Sequence, residues 1–156
     1  PLLVVELLLL CSVAAEKKEG LIFNTVVATV LMLIFGYLGE TSGGTSLSDS
    51  RGIYGFLSTI PFVYIVWVLW NEVTVAMADK EGHLKVLYRN IRLLLIFTWG
   101  YYPIVYMAPF IMDPGSALVN VQVGYTIADV AAKAGYGCLI YAIARAKSDA
   151  DGFAVA

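Results

Sequence analysis

Four stretches, at about 21–38, 52–70, 87–112 and 119–144, are almost wholly apolar. Each is close to the roughly 20 residues that a helix needs to cross a hydrocarbon core about 30 Å thick. Nothing else in the chain limits its folding so strongly. The composition agrees: 60% of the 156 residues are hydrophobic, 14% are charged, and the mean hydropathy is +0.79, well outside the range of soluble domains. The chain reads as an all-α membrane protein. Its formal net charge is −2, and its basic residues are scattered through short polar connections, which excludes a nucleic-acid surface.

A further apolar run, residues 1–14, is too short to span, so the chain is expected to begin inside a helix. It lacks the basic segment and small-residue cleavage site of a signal peptide. The expected connections are 16–20, 40–51, 71–90 and 113–116, and the Ser, Thr and Gly after Glu40 read as a flexible loop. Lys17, Lys18, Lys80, Lys85, Arg89, Arg92, Arg145 and Lys147 fall on alternate connections and the C-terminal end, with only Arg51 on the other side. That bias places the C-terminus in the cytoplasm. Residues 1–147 form the expected membrane domain, and 148–156 an expected disordered cytoplasmic tail. Tyr37, Tyr54, Trp67, Trp70 and Tyr88 lie near run ends, as interfacial aromatics do. Pro61 and Pro103 can bend their helices. Gly36, Gly39, Gly55, Gly100, Gly124, Gly135 and Gly137 read as close-approach positions.

Chemistry concentrates where charge interrupts apolar sequence. Lys133 lies about 11 residues from one end of its run and about 14 from the other, roughly 16 to 21 Å of helix at about 1.5 Å per residue. A lysine stem does not snorkel that far. Asp129, one turn earlier, makes a structural ion pair one reading. Covalent chemistry is the other, because burial favours the neutral, nucleophilic amine, and ionisable groups inside a membrane are costly and commonly functional. Glu6, within Pro1-Leu-Leu-Val-Val-Glu6, is a candidate proton donor if burial keeps it neutral; a carboxyl paired with a neighbouring helix is the plainer alternative. Trp99, Tyr102 and Tyr106, spaced by three and four with Pro103 beside them, share a helix face, as core stripes and aromatic ligand walls both do. His83 reads as a solvated loop residue, and Cys11 and Cys138 as small buried side chains. No metal-ligand spacing, phosphate loop or hydrolase triad is present, so the chain does not read as an enzyme.

Three of these segments together resemble the microbial rhodopsins: Trp99-Gly-Tyr-Tyr-Pro103 on that family's sixth helix, Asp129-Val-Ala-Ala-Lys133 on its seventh, and Pro1-Leu-Leu-Val-Val-Glu6 on its third. Arg51-Gly-Ile-Tyr-Gly-Phe-Leu-Ser-Thr-Ile-Pro-Phe62 and Gln122-Val-Gly-Tyr-Thr-Ile-Ala-Asp129 are similar to the xanthorhodopsin and Gloeobacter-rhodopsin branch, and the similarity covers nearly the whole chain. The resemblance implies part of a seven-helix bundle, from the second half of helix 3 through helix 7, without the segment that carries the primary counterion aspartate. It implies all-trans retinal on Lys133 as a protonated Schiff base, with Asp129 as second counterion. Trp99, Tyr102, Pro103 and Tyr106 would line the polyene and ring, and Met32, Gly36, Ser58, Thr59 and Phe62 would complete the ring end.

Leu3 matches the position whose leucine accompanies green absorption, and Glu6 matches the cytoplasmic proton donor, typically glutamine in sodium and chloride pumps. Gly55 matches a glycine that opens a window onto the ring for a carotenoid antenna, against the plainer reading of a packing glycine. Val121 falls near the release-group glutamate of archaeal pumps, so proton release would differ from theirs. The implied activity is light-driven outward proton pumping, with the lipid bilayer and protons as partners and a homo-oligomer left open. A photosensory receptor built on the same pocket is the competing implication.

Overall fold

The computed structural model describes residues 2–11, 15–78, 80–150 and 152, and every regular element among them is a helix: α1 (Leu2–Leu10), α2 (Ala15–Ser42), α3 (Ser50–Ala78), α4 (Gly82–Tyr106), α5 (Ala108–Ile111) and α6 (Pro114–Ala150). The all-helical expectation holds. The helices outrun the apolar stretches that announced them. Lys17 to Gly20 wind into the first turns of α2, and only 79–81 separate α3 from α4 where 71–90 was expected. Polar residues beyond the hydrocarbon continue the helices because extending an existing helix fixes one residue for each bond gained, and Lys and Glu are good helix formers. The expected tail begins as helix through Ala150; Pro1, residues 12–14, Asp79, Asp151 and 153–156 lie outside the described residues.

Two connections show why the chain turns where it does. Between α2 and α3, Gly43 and Gly44 take φ of +70° and +102°, a region that glycine enters without a Cβ penalty. Asp49 Oδ2 accepts from the Thr45 and Ser46 amides at 3.1 and 2.9 Å, so the expected flexible loop is a tied turn. The stretch expected as one run over 87–112 divides at Met107: Pro109 has no N–H for the Val105 carbonyl, and the Met107 amide closes the turn on Pro103 and Ile104.

Asp113 then caps α6. Its Oδ2 accepts from the Ser116 amide at 3.0 Å, and Pro114 stands at the first helical position. That amide bond holds the exposed Asp113 carboxyl below its ordinary value of 3.8. A depressed folded value means the cap contributes fully above 3.8 and is lost as the pH falls through the folded value. Protection of the Ser116 amide from hydrogen exchange should fade over that acidic window, and Asp113→Ala should remove it at every pH. Asp113→Asn, which still accepts, should make it pH-independent; equal acid sensitivity in the Asp113→Asn variant would refute the cap.

α2, α3 and α6 are long and apolar enough to cross a membrane. α4 has 25 residues; His83, Lys85, Arg89 and Asn90 in its first turns are exposed, and two of its polar side chains meet neighbouring elements. Arg92 sits 4.0 Å over the Trp70 ring and donates to Thr74 Oγ1 at 2.7 Å, while Tyr88 is buried instead of interfacial. α2 lies on α3 and α4 on α6, with α3 against α4 and α1 set against α2, α3 and α6. Val4, Leu7 and Leu8 enter a core built from Ile65, Val68, Leu69, Ile91, Leu95 and Tyr136, among others. Between helices in lipid such burial gains packing but little hydrophobic free energy, so hydrogen bonds carry weight. The Leu10 carbonyl, at a helix end that leaves carbonyls without intrahelical donors, accepts from Tyr88 Oη at 2.9 Å and Lys147 Nζ at 3.2 Å. Tyr136 Oη donates to Leu3 O.

Large apolar side chains such as Phe56, Phe97 and Trp67 point outward, as a lipid-facing surface requires. Close approach explains some of the glycines. A Cβ at Gly124 would lie 2.7 Å from Val105 and one at Gly55 2.6 Å from the Tyr106 ring, whereas Gly100 and Gly137 meet nothing within 4 Å. Cys138, expected inside, is exposed; Cys11 is buried.

Candidate functional site

Helical spacing of four puts Asp129 and Lys133 on one face of α6, with Asp129 Oδ2 2.5 Å from Lys133 Nζ. The other oxygen, Oδ1, accepts from Tyr102 Oη of α4. Both oxygens of the carboxylate are therefore committed, one to a cation and one to a phenol.

The amine is not buried as the sequence suggested. The Lys133 side chain is 65% exposed and that of Asp129 49%. α6 turns Ala128, Ala132 and Tyr136 into the bundle, which leaves Lys133 on a face that no described helix covers. It lines a cleft of about 490 Å³ with Thr126, Asp129, Val130 and Ala134. So exposed a pair is worth about 0–1 kcal/mol in water, and in hydrocarbon its charges are a cost. Stability does not account for it.

The other predicted residues fall into separate groups. Trp99, Leu3 and Met32 lie against the central core. Ser58 Oγ donates to the Met32 carbonyl at 2.9 Å across α2 and α3, and a Cβ at Gly36 would sit 3.7 Å from that hydroxyl. Phe62 and Pro103 are half-buried, and exposed Thr59 donates back to Gly55 O at 2.9 Å. Glu6 is exposed on α1. Tyr106 departs from its stripe: its hydroxyl donates to Arg51 O at 2.7 Å, and its ring fills the space at Gly39 and Gly55.

Tyr106 thereby joins a second polar centre that sequence reasoning missed. Arg51 Nη2 pairs with Glu40 Oε2 at 3.0 Å, and the guanidinium lies 4.7 Å from the centroid of the Tyr106 ring. Tyr125 Oη donates to Glu40 Oε1 at 2.7 Å. The signal available was Arg51 itself, the lone basic residue on its side of the charge pattern.

An amine in mid-helix, a carboxylate able to balance its positive charge and a phenol orienting that carboxylate suit a ligand that bears a carbonyl group. Lys133 would bind it, with Asp129 and Tyr102 beside the linkage.

The chain belongs to the family of bacteriorhodopsin-like proteins, which it matches over residues 1–147. It is 29% identical to the green-light absorbing proteorhodopsin of gamma-proteobacterium EBAC31A08 over 95% of this chain and 58% of that protein. To the bacteriorhodopsin of Halobacterium salinarum it is 25% identical over 90% and 51%. Among solved structures it is similar to xanthorhodopsin, described as a light-driven ion pump with dual chromophore, at a TM-score of 0.89 and 45% identity, covering 99% of this chain and 61% of that one. A thermophilic rhodopsin follows at 0.84 and 43%, covering 98% and 61%. The chain thus spans less than two thirds of the length of these relatives.

Proposed function

We propose that this chain is the chromophore-bearing part of a light-driven outward proton pump that carries all-trans retinal on Lys133, with its C-terminus in the cytoplasm of a cell whose inner membrane it crosses several times. The observation that carries the reading is the Lys133 amine held by a carboxylate that Tyr102 orients. Bound retinal supplies light absorption and an isomerisation that alters the proton affinity of the linkage nitrogen. The protein's share is positional. Asp129 holds positive charge at Lys133 Nζ, Tyr102 fixes the carboxylate, and Trp99 with Met32 and Leu3 bounds the adjoining core.

Glu6 supplies the proton from the cytoplasmic side. Contacts on α1 support this placement: Leu3 lies level with Tyr136 and Leu10 with Lys147, so Glu6 falls between them, beyond Lys133 toward the basic end. The side chain is exposed where the sequence reading called for burial to keep the carboxyl neutral, so the assignment rests on position along the bundle and on the resemblance. The likeness to xanthorhodopsin, a light-driven ion pump, favours a pump over a photosensor. A carotenoid at Gly55 rests on the same likeness, and Gly55 already owes its missing side chain to Tyr106.

The test is light-driven pH change in cells expressing the seven-helix protein that carries this sequence, with retinal. A pump acidifies the medium, and a protonophore abolishes the signal. Because a positioned proton donor typically contributes about 10²–10⁴-fold to rate, Glu6→Gln should slow recovery of the resting pigment by at least about tenfold. A pigment that moves no protons would point to the sensor.

A further inference from the structure

We propose that Glu40 is a positioning residue for the Asp129–Lys133 pair, acting through Tyr125 and Tyr102; its relevance to pumping rests on the function proposed above. The two polar centres have the same construction. At one, a carboxylate gives Oδ2 to Lys133 and Oδ1 to Tyr102. At the other, it gives Oε2 to Arg51 and Oε1 to Tyr125. The two phenols meet, with ring centroids 5.5 Å apart and planes tilted by 31°. Each ring is anchored at its hydroxyl by a different carboxylate, so neither can turn without straining a charge-assisted hydrogen bond.

The buried Arg51 makes Glu40 the fixed end of the series. The Arg51 side chain is 8% exposed against 65% for Lys133, and Arg51 is further held over the Tyr106 ring, whose hydroxyl returns to the Arg51 carbonyl. Among the described residues, Asp129 and Lys133 are held by each other and by Tyr102. Tyr125 and Asp129 are also one turn apart on α6, so a shift of Tyr125 reaches Asp129 through the helix and through Tyr102 alike. Order passes from Glu40 through the two rings to Asp129.

The deciding variant is Tyr125→Phe, which keeps the ring and removes one hydroxyl. Glu40→Gln, which also leaves Arg51 without its counter-charge, is the second. In ligand-free membranes containing the seven-helix protein, the carboxylate stretching band of Asp129, assigned by its loss in Asp129→Asn, reports the hydrogen bonds on that group. Tyr102→Phe should shift the band directly, and Tyr125→Phe should shift it in the same direction by less. Glu40→Gln should shift the same band in the same direction as Tyr125→Phe. Tyr64→Phe, on a ring set against Trp67 on α3, should leave it in place. A band unmoved in Tyr125→Phe overturns the proposal whatever Tyr102→Phe does. After retinal addition, Tyr125→Phe should also displace the visible absorption maximum. Failure of the unsubstituted protein to form a pigment, with the infrared coupling intact, would reject the retinal reading and leave the positioning role standing.

Discussion

Lys133→Ala will yield a protein that inserts in the membrane and gains no visible absorption on retinal addition, while Lys133→Arg will fail in the same way for a more telling reason. Arginine preserves the positive charge beside Asp129 and can donate to it, so an ion pair with Asp129 survives. It stays protonated in proteins and offers no free amine for condensation. If Lys133 served only as a partner for Asp129, the arginine variant would behave like the parent. The expected effect is complete loss of colour in both variants and of light-driven pH change with it. Borohydride reduction followed by peptide mass analysis should place the retinyl group of the parent on Lys133. Colour in Lys133→Arg, or an adduct on another lysine, would remove the central assignment of this chain.

The second large effect is on stability and lies away from Lys133. Arg51→Met removes a guanidinium that is 8% exposed and pairs at 3.0 Å with Glu40. Breaking a fully buried pair from one side costs about 3–5 kcal/mol. Because Glu40 is 32% exposed, water recovers part of the orphaned charge, and a loss of about 2–3 kcal/mol is expected, including the contact with Tyr106. Unfolding by denaturing detergent in mixed micelles measures it. Adding Glu40→Gln to Arg51→Met should restore part of the loss, since the second change removes the uncompensated carboxylate. A loss under about 0.5 kcal/mol, the size of an exposed pair, would mean that the network does not hold α2 to α3.

The parts of this site that were legible in the sequence are those written in helical spacing. Asp129 and Lys133 are one turn apart, so their pairing follows from period alone. The aromatic stripe was legible as a face but not as a single site. Trp99 and Tyr106 are separated by seven residues, about 10 Å along the axis, enough for one stripe to serve two centres. Tyr102 accordingly reaches Asp129, and Tyr106 goes to Arg51.

What joins elements was hidden. Glu40 and Arg51 face each other across a turn, and Tyr125 is 85 residues from Glu40; no local pattern reports such meetings. The exposure of Lys133 was equally invisible, because periodicity gives the face a residue occupies and not which helices cover it. Helix ends were misplaced for a simpler reason: hydropathy marks the hydrocarbon, and helices continue past it.

Besides the Val4, Leu7 and Leu8 side chains in the core, the seat of α1 is made with its main chain. Tyr136 donates to the carbonyl of Leu3, and Tyr88 and Lys147 donate to that of Leu10. A carbonyl is the same in every residue, so these contacts are blind to the side chains that α1 displays. Substitution of the exposed Glu6 therefore leaves these three hydrogen bonds in place, and the segment can vary there without unseating the helix.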